Sequence, residues 1–197
     1  MIIGLTGGIA SGKSTVVEMI KEVGYKVIDA DQLVHDMQAK GGRLYRALHD
    51  WLGEDILLSD GELNRPKLGK LIFSSEEMRH QSAEIQGKII REELAVKRDC
   101  LAKEEDVFFM DIPLLIENDY QDWFDQIWLV AVSPEVQRQR LMKRNHLSAE
   151  EAGMRIASQM PLAEKLPYAS LVIDNNGSID DLKKKVKSAI KDLANLV

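Results

Sequence analysis

The chain has 197 residues, 45% hydrophobic and 29% charged, with a formal net charge of −6. That length supports one compact domain with a substantial core, and the acidic balance disfavours a duplex nucleic-acid binder, which needs a basic face. A single cysteine rules out a disulfide framework, the four histidines lack metal-ligand spacing, and no apolar run approaches the roughly 20 residues that span a bilayer.

Met1 leads directly into an apolar run, residues 2–6, with no leader-like segment, so a cytoplasmic location is expected. Next comes Gly7-Gly8-Ile9-Ala10-Ser11-Gly12-Lys13-Ser14, which matches the phosphate-loop pattern G-x-x-x-x-G-K-[ST] at every fixed position. A helix is predicted over residues 13–22, with Val16, Val17, Ile20 and Val23 on one face. Strand, loop and helix together predict a nucleotide site. Glycines let successive N–H groups turn inward onto phosphate oxygens, and the helix N-terminus adds partial positive charge. Lys13 suits the β- and γ-phosphates, and the Ser14 hydroxyl suits Mg²⁺. The stretch expected to hold ATP is Gly8, Ile9, Ala10, Ser11, Gly12, Lys13, Ser14 and Thr15.

Gly24 closes that helix, and residues 25–28 read as a second strand ending at Asp29-Ala30-Asp31. A short helix with Leu33, Val34 and Met37 runs to Gly41-Gly42. Residues 43–103 are helical in pattern. They hold an amphipathic face of Leu44, Leu48, Trp51 and Leu52, a helix opened by Pro66, and a long helix with Met78, Ile85, Ile89 and Leu94 that starts at the capping sequence Ser74-Ser75-Glu76-Glu77. Cys100 falls in this stretch and reads as a packing residue. The segment is longer than a crossover between parallel strands requires, and the excess reads as a substrate-binding insertion.

Residues 107–110 form an apolar third strand ending in Asp111-Ile112-Pro113, and residues 127–132 form a fourth. Ser133-Pro134-Glu135 and Ser148-Ala149-Glu150-Glu151 open two further helices. A fifth strand, residues 171–173, is closed by Asp174-Asn175-Asn176-Gly177. The last helix starts near Ile179 and turns Leu182, Val186, Ile190 and Leu193 inward, with Lys183-Lys184-Lys185 on a solvated face. Strands alternating with helices predict an α/β fold with a parallel sheet, in which ligands gather beyond the strand C-termini.

Asp29, Asp31 and Asp111 all fall at such ends. A hydroxyl attacking a γ-phosphate must lose its proton, and Asp31 is the candidate base; the alternative is a cap for the following helix. Asp111 suits either the Mg²⁺ side or the orientation of the nucleophile, and Glu117 either supports the site or is simply exposed. Arg140 and Arg144 share a helix face, and Arg155 lies on the next helix, so this helical hairpin reads as a lid that clamps phosphoryl charge and excludes water.

Several blocks together resemble the dephospho-CoA kinase family: residues 4–14, Asp29-Ala30-Asp31, Asp111-Ile112-Pro113-Leu114-Leu115-Ile116-Glu117, residues 137–144 and 155–160, and Val172-Ile173-Asp174-Asn175. The resemblance spans nearly the whole chain, in order. It implies phosphorylation of the ribose 3′-hydroxyl of dephospho-CoA by ATP with Mg²⁺, the last step of CoA synthesis. It also implies a P-loop kinase core with strand order 2-3-1-4-5 over about 1–42, 104–135 and 168–197, an acceptor-binding helical insertion over about 43–103, and a lid over about 136–167. In that family pattern Asp31 is the base, Lys13 and Arg140 are catalytic, Arg144 and Asn175 contact ATP with Asn175 near the adenine, and Arg65 and Asp111 face the acceptor. Where the family often shows His-Pro, this chain has Gln86-Gly87, and no role is carried over to that position. The expected partner is the small-molecule substrate alone, with no nucleic acid or membrane, in a monomer or weak homo-oligomer. Two other classes share the loop: a nucleoside or nucleotide monophosphate kinase, and a non-enzymatic nucleotide switch. The chain lacks the Asn-Lys-x-Asp guanine-reading tetrad, which counts against the switch.

Overall fold

A computed structural model describes residues 1–196. In chain order the elements are β1 (Ile2–Gly7), α1 (Lys13–Glu22), β2 (Val27–Asp29), α2 (Ala30–Met37), α3 (Arg43–Leu52), α4 (Arg65–Ile72), α5 (Glu76–Leu101), β3 (Phe108–Asp111), β4 (Gln126–Ala131), α6 (Pro134–Asn145), α7 (Ala149–Ala157), α8 (Leu162–Lys165), β5 (Leu171–Asp174) and α9 (Ile179–Ala194). The chain divides into two compact units, Ala30–Cys100 and the remainder.

The larger unit is built on one five-stranded sheet in the order β2-β3-β1-β4-β5, every neighbouring pair parallel. This is the order the family resemblance implies. Because side chains alternate across a strand, Ile3 and Leu5 of β1, Phe109 of β3 and Trp128 and Val130 of β4 share one face. That face packs with Val16, Val17 and Ile20 of α1 and Leu182, Val186 and Leu193 of α9 into one apolar cluster. The aromatic edges of Tyr25 and Trp128 meet Phe109 within it, at ring separations of 5.6 and 5.1 Å. Val23, expected on the inner face of α1, is 57% exposed. It occupies the C-cap, where the chain is already leaving the helix.

On the opposite face, Gly4 makes room for other side chains. A β-carbon there would lie 2.6 Å from Leu115 Cδ1 and 2.9 Å from Phe124 Cδ2. Register sets the strand ends: Leu5 and Asp29 each pair with Asp111, so β1, β2 and β3 reach the same level just before the glycine loop.

The smaller unit is helical. Leu48, Ile56, Leu63 and Leu68 form its apolar cluster, with Tyr45, Trp51 and Leu52 packed against them. An Arg43 guanidinium pairs with Glu92 and Glu93 and joins α3 to α5. Asn64 caps α4 by accepting from Lys67 N at 3.1 Å, and Ser75 Oγ accepts from Met78 N at 3.1 Å at the start of α5. Helix α5 runs unbroken through Gln86-Gly87, where Gln86 Nε2 donates to Ser82 Oγ at 2.7 Å. Proline would have bent the helix there; glycine only loosens it. Cys100 is exposed, which corrects its expected packing role. Six residues beyond the buried Leu94, it has rotated away from the inward side of α5.

Two glycines should respond oppositely to alanine. Gly4→Ala overpacks the sheet face and should destabilise by about 1–3 kcal/mol. Gly87→Ala meets nothing within 4 Å and should stabilise by about 0.5–1 kcal/mol. Thermal melts of both variants test this; equal shifts would refute the packing argument.

Candidate active site

The glycine loop leaves β1 and turns into α1. Ser11 N donates to Gly8 O at 3.1 Å, Ala10 adopts φ 59° and Gly12 φ 87°. Both φ values are left-handed, which glycine adopts freely and alanine at a cost of roughly 1–2 kcal/mol. At Gly12 a β-carbon would lie only 2.2 Å from Asn175 Nδ2, so the position is closed to any side chain.

Gly12 is the N-cap of α1 and offers no side-chain cap. Helices α6, α7 and α9 begin differently: Ser133, Ser148 and Ser178 each accept a first-turn amide, the last two within full capping boxes. The first amides of α1 therefore have no side-chain cap, the arrangement that suits phosphate.

Hydrogen bonds tie the loop and its surroundings together. Asn175, buried at the end of β5, donates from Nδ2 to Ser11 O at 2.8 Å and from its backbone N to Ala131 O at 2.8 Å. Arg140 of α6 donates to Asn175 O at 2.9 Å. The buried Thr6 hydroxyl donates to Pro113 O at 2.9 Å, joining β1 to the segment after β3. Gly12, Thr15, Arg140, Asn175, Gly177, Ile179 and Leu182 line a cleft of about 280 Å³ beside the start of α1. One wall is polar and cationic and another aliphatic, which suits a nucleotide whose base lies beyond its phosphates.

Lys13 and Asp111 form an ion pair, and both side chains are largely buried. Asp111 is the last residue of β3 rather than the first beyond it, because the strand runs one residue past the apolar run. Ser14, in the first turn of α1, is exposed. Among the described residues no group of three or more His, Cys, Asp or Glu could cage a metal. The donors present, a serine hydroxyl and the Asp111 carboxylate, are hard oxygens. Mg²⁺ fits such a set, since it keeps several waters and needs only one or two protein ligands beside phosphate.

Among the described hydrogen bonds, the other expected residues make none to the loop. Arg144 is exposed, and its Nε donates to the neighbouring Asn145 Oδ1 at 3.0 Å. Arg155 is exposed on α7. Asp31 and Arg65 belong to the smaller unit. Asp31 is the second residue of α2, inside the helix rather than at its cap, and is exposed. Arg65 opens α4, and its NH1 lies 2.8 Å from His35 Nδ1. Because the guanidinium can only donate, that imidazole nitrogen is the acceptor.

Several polar residues make contacts that the sequence did not specify. Gln137 and Gln159 both bond to Ile9, at 2.8 Å each. Glu117 is mostly buried and pairs with the fully buried Lys165 at 2.6 Å, while its Oε1 also accepts from Met160 N at 3.3 Å. It therefore fastens the α7–α8 connection to the segment after β3. Lys185 is not simply solvated: its ammonium donates to Asp174 O and Oδ2, each at 2.8 Å. These partners are distant in sequence, and only their place inside motif-like blocks hinted at a role.

Residues 1–181 match the protein family described as CoaE, dephospho-CoA kinase. A dephospho-CoA kinase of Streptococcus thermophilus is 91% identical over 197 residues, covering 100% of both chains. One of Streptococcus pyogenes is 61% identical over 195 residues, covering 99% of each. Among solved structures, a Thermus thermophilus protein is 32% identical with TM-score 0.81, covering 98% of this chain and 97% of its own. A dephospho-CoA kinase from Campylobacter jejuni is 27% identical with TM-score 0.77 and the same coverage. A shikimate kinase from Bacteroides thetaiotaomicron, 15% identical with TM-score 0.54 over 98% of both chains, shares the fold alone.

The Asp174 carboxyl is held below the usual carboxylate range, first by the hydrogen bond from Lys185 and then by Asn176. A depressed folded-state pKa stabilises above the unfolded value near 3.9 and loses that contribution as pH falls through the folded value. Lys185→Met should therefore lower the melting temperature at pH 6–7, and the gap to wild type should narrow as pH falls below the unfolded carboxylate value near 3.9; a gap independent of pH would refute the pairing. With a helix start that has no side-chain cap, a largely buried lysine beside it, and named relatives that match over the full length, the chain belongs to the dephospho-CoA kinase family.

Proposed function

We propose that the chain transfers the γ-phosphoryl group of ATP to the ribose 3′-hydroxyl of dephospho-CoA, releasing ADP and CoA. The observation that carries this is the uncapped start of α1 with Lys13 beside it, in a chain whose relatives named dephospho-CoA kinase match it end to end. The α1 amides and Lys13 take the β- and γ-phosphates, and the cleft at Asn175 and Gly177 takes the base. Ser14, with Asp111 nearby in the chemistry, would hold Mg²⁺, which when bound neutralises phosphate charge.

The acceptor oxygen attacks phosphorus, the bond to the β–γ bridging oxygen breaks, and Asp31 takes the hydroxyl proton. Arg140, already tethered to the Asn175 carbonyl, supplies positive charge to the transferring group. Arg65 faces an anionic part of the acceptor, within a helical unit that holds dephospho-CoA, and the α6–α8 segment acts as the lid.

The test is ATP consumption with and without dephospho-CoA, with the position of the new phosphate assigned, alongside a panel of nucleosides and nucleoside monophosphates. Transfer to the 3′-hydroxyl is expected; transfer to a panel member instead would favour a monophosphate kinase. Asp31→Asn should lower kcat by about 10²–10⁴-fold with an unchanged melting temperature. Near-normal turnover would remove Asp31 as the base.

A further inference from the structure

Residue Ile9, near the tip of the phosphate loop, is gripped on both sides by glutamines. Its N–H donates to Gln159 Oε1 at 2.8 Å, and its carbonyl accepts from Gln137 Nε2 at 2.8 Å. Both bonds are partly buried and cross 150 and 128 residues of sequence. The fit is tight: a β-carbon at Gly8 would lie 2.7 Å from Gln137 Nε2 and 4.0 Å from Gln159 Oε1.

Each glutamine is itself fixed. Gln137 sits in the first turns of α6, whose N-cap Ser133 accepts from Val136 N and receives Asn176 Oδ1 on its own N–H at 2.8 Å. Gln159 precedes Met160, whose N–H is held by Glu117, and Glu117 is held by Lys165. The next loop residue, Ala10, carries the left-handed φ of 59°. An alanine drifts back from that conformation unless its neighbours prevent it. The Gln137 bond fixes the peptide plane before Ala10, the Gln159 bond fixes the one before Ile9, and Ser11 N, donating to Gly8 O, holds the plane after Ala10.

We propose that Gln137 and Gln159 are positioning residues for the nucleotide: together they lock Ile9, and through it the left-handed Ala10, so that the loop amides stay aimed at phosphate before ATP arrives. The two side chains act in opposite senses, Gln137 as donor and Gln159 as acceptor. Preorganising the loop in this way spares ATP the cost of ordering it. The inference rests on the loop being the ATP site and is independent of the acceptor.

The test uses the full chain carrying Gln137→Leu, Gln159→Leu, or both. Calorimetric Kd for ATP without acceptor, KM for each substrate, kcat and the ligand-free melting temperature are measured. Each single change should raise the ATP Kd and KM by about 3–10-fold, the weight of one hydrogen bond, and leave the dephospho-CoA KM within about twofold. The double variant should lose less than the product of the two, because both bonds hold one residue. Gln137→Glu and Gln159→Glu then separate hydrogen-bond sense from charge. Both add the same charge beside the loop, but only Gln159→Glu keeps its acceptor, so Gln137→Glu should weaken ATP more. Unchanged ATP Kd, equal effects of the two glutamates, or losses that track the unfolded fraction would overturn the proposal. If wild type binds ATP but leaves dephospho-CoA untouched, the acceptor assignment fails while the ATP-binding comparison still decides this one.

Discussion

The organising constraint is a helix that begins without a cap. An α-helix leaves its first amides unpaired, and proteins usually satisfy them with a side chain. This chain does so at α6, α7 and α9 with serines, and at α4 with an asparagine. At α1 it places Gly12 instead, as it places Gly42 at α3, but only at α1 does the uncapped turn follow the phosphate-loop sequence. An unpaired end is costly when buried and useful only if an anion completes it. Much of the larger unit can be understood as the apparatus that keeps this end open, correctly aimed and free of competing side chains.

That apparatus is distributed. Parallel register brings Asp29, Asp111 and Leu5 level, so the loop starts where β2 and β3 stop. Asn175 reaches from the end of β5 to the Ser11 carbonyl, and Arg140 reaches from α6 to Asn175. Gly12 and Gly8 lack side chains because Asn175 and Gln137 occupy that space. These two glycines are thus conformational at Gly12 and steric at both. A phosphate loop is often described by its own residues, but here its shape is imposed by side chains more than a hundred residues away.

This division explains which parts were legible in the sequence. The loop, the strands and the capping box at Ser148 are local patterns, and periodicity or spacing reveals them, while the box expected at Ser74-Ser75-Glu76-Glu77 is a single serine cap, Ser75 accepting from Met78 N. The order of the strands came through family resemblance and matches the sheet. Asn175 was marked by resemblance, but its bond to Ser11 spans 164 residues, a partnership no local pattern encodes. The same holds for the glutamines on Ile9 and for Glu117 with Lys165. Cys100 misled because helical residues near an apolar stripe look alike in sequence, although rotation about α5 turns this one outward. Lys185 looked like one of three surface lysines, and only the return of α9 past the end of β5 gives it Asp174. Arg144 shows the limit of periodicity from the other side: it shares a helix face with Arg140 but bonds only to its neighbour Asn145 among its described hydrogen bonds.

The pairing of Lys13 with Asp111 has a thermodynamic implication of its own. A largely buried ammonium would pay heavily for standing alone, and the Asp111 carboxylate relieves that cost. On the proposed assignment of Lys13 to phosphate, binding there is an exchange of anionic partners rather than a simple addition. What a nucleotide gains there is the difference between two ion pairs, so the lysine favours the partner with the higher charge density. A built-in rival anion of this kind flattens affinity for weakly charged ligands more than for strongly charged ones, and it gives the loop a preference for how many phosphates it holds, independent of the shape of the base.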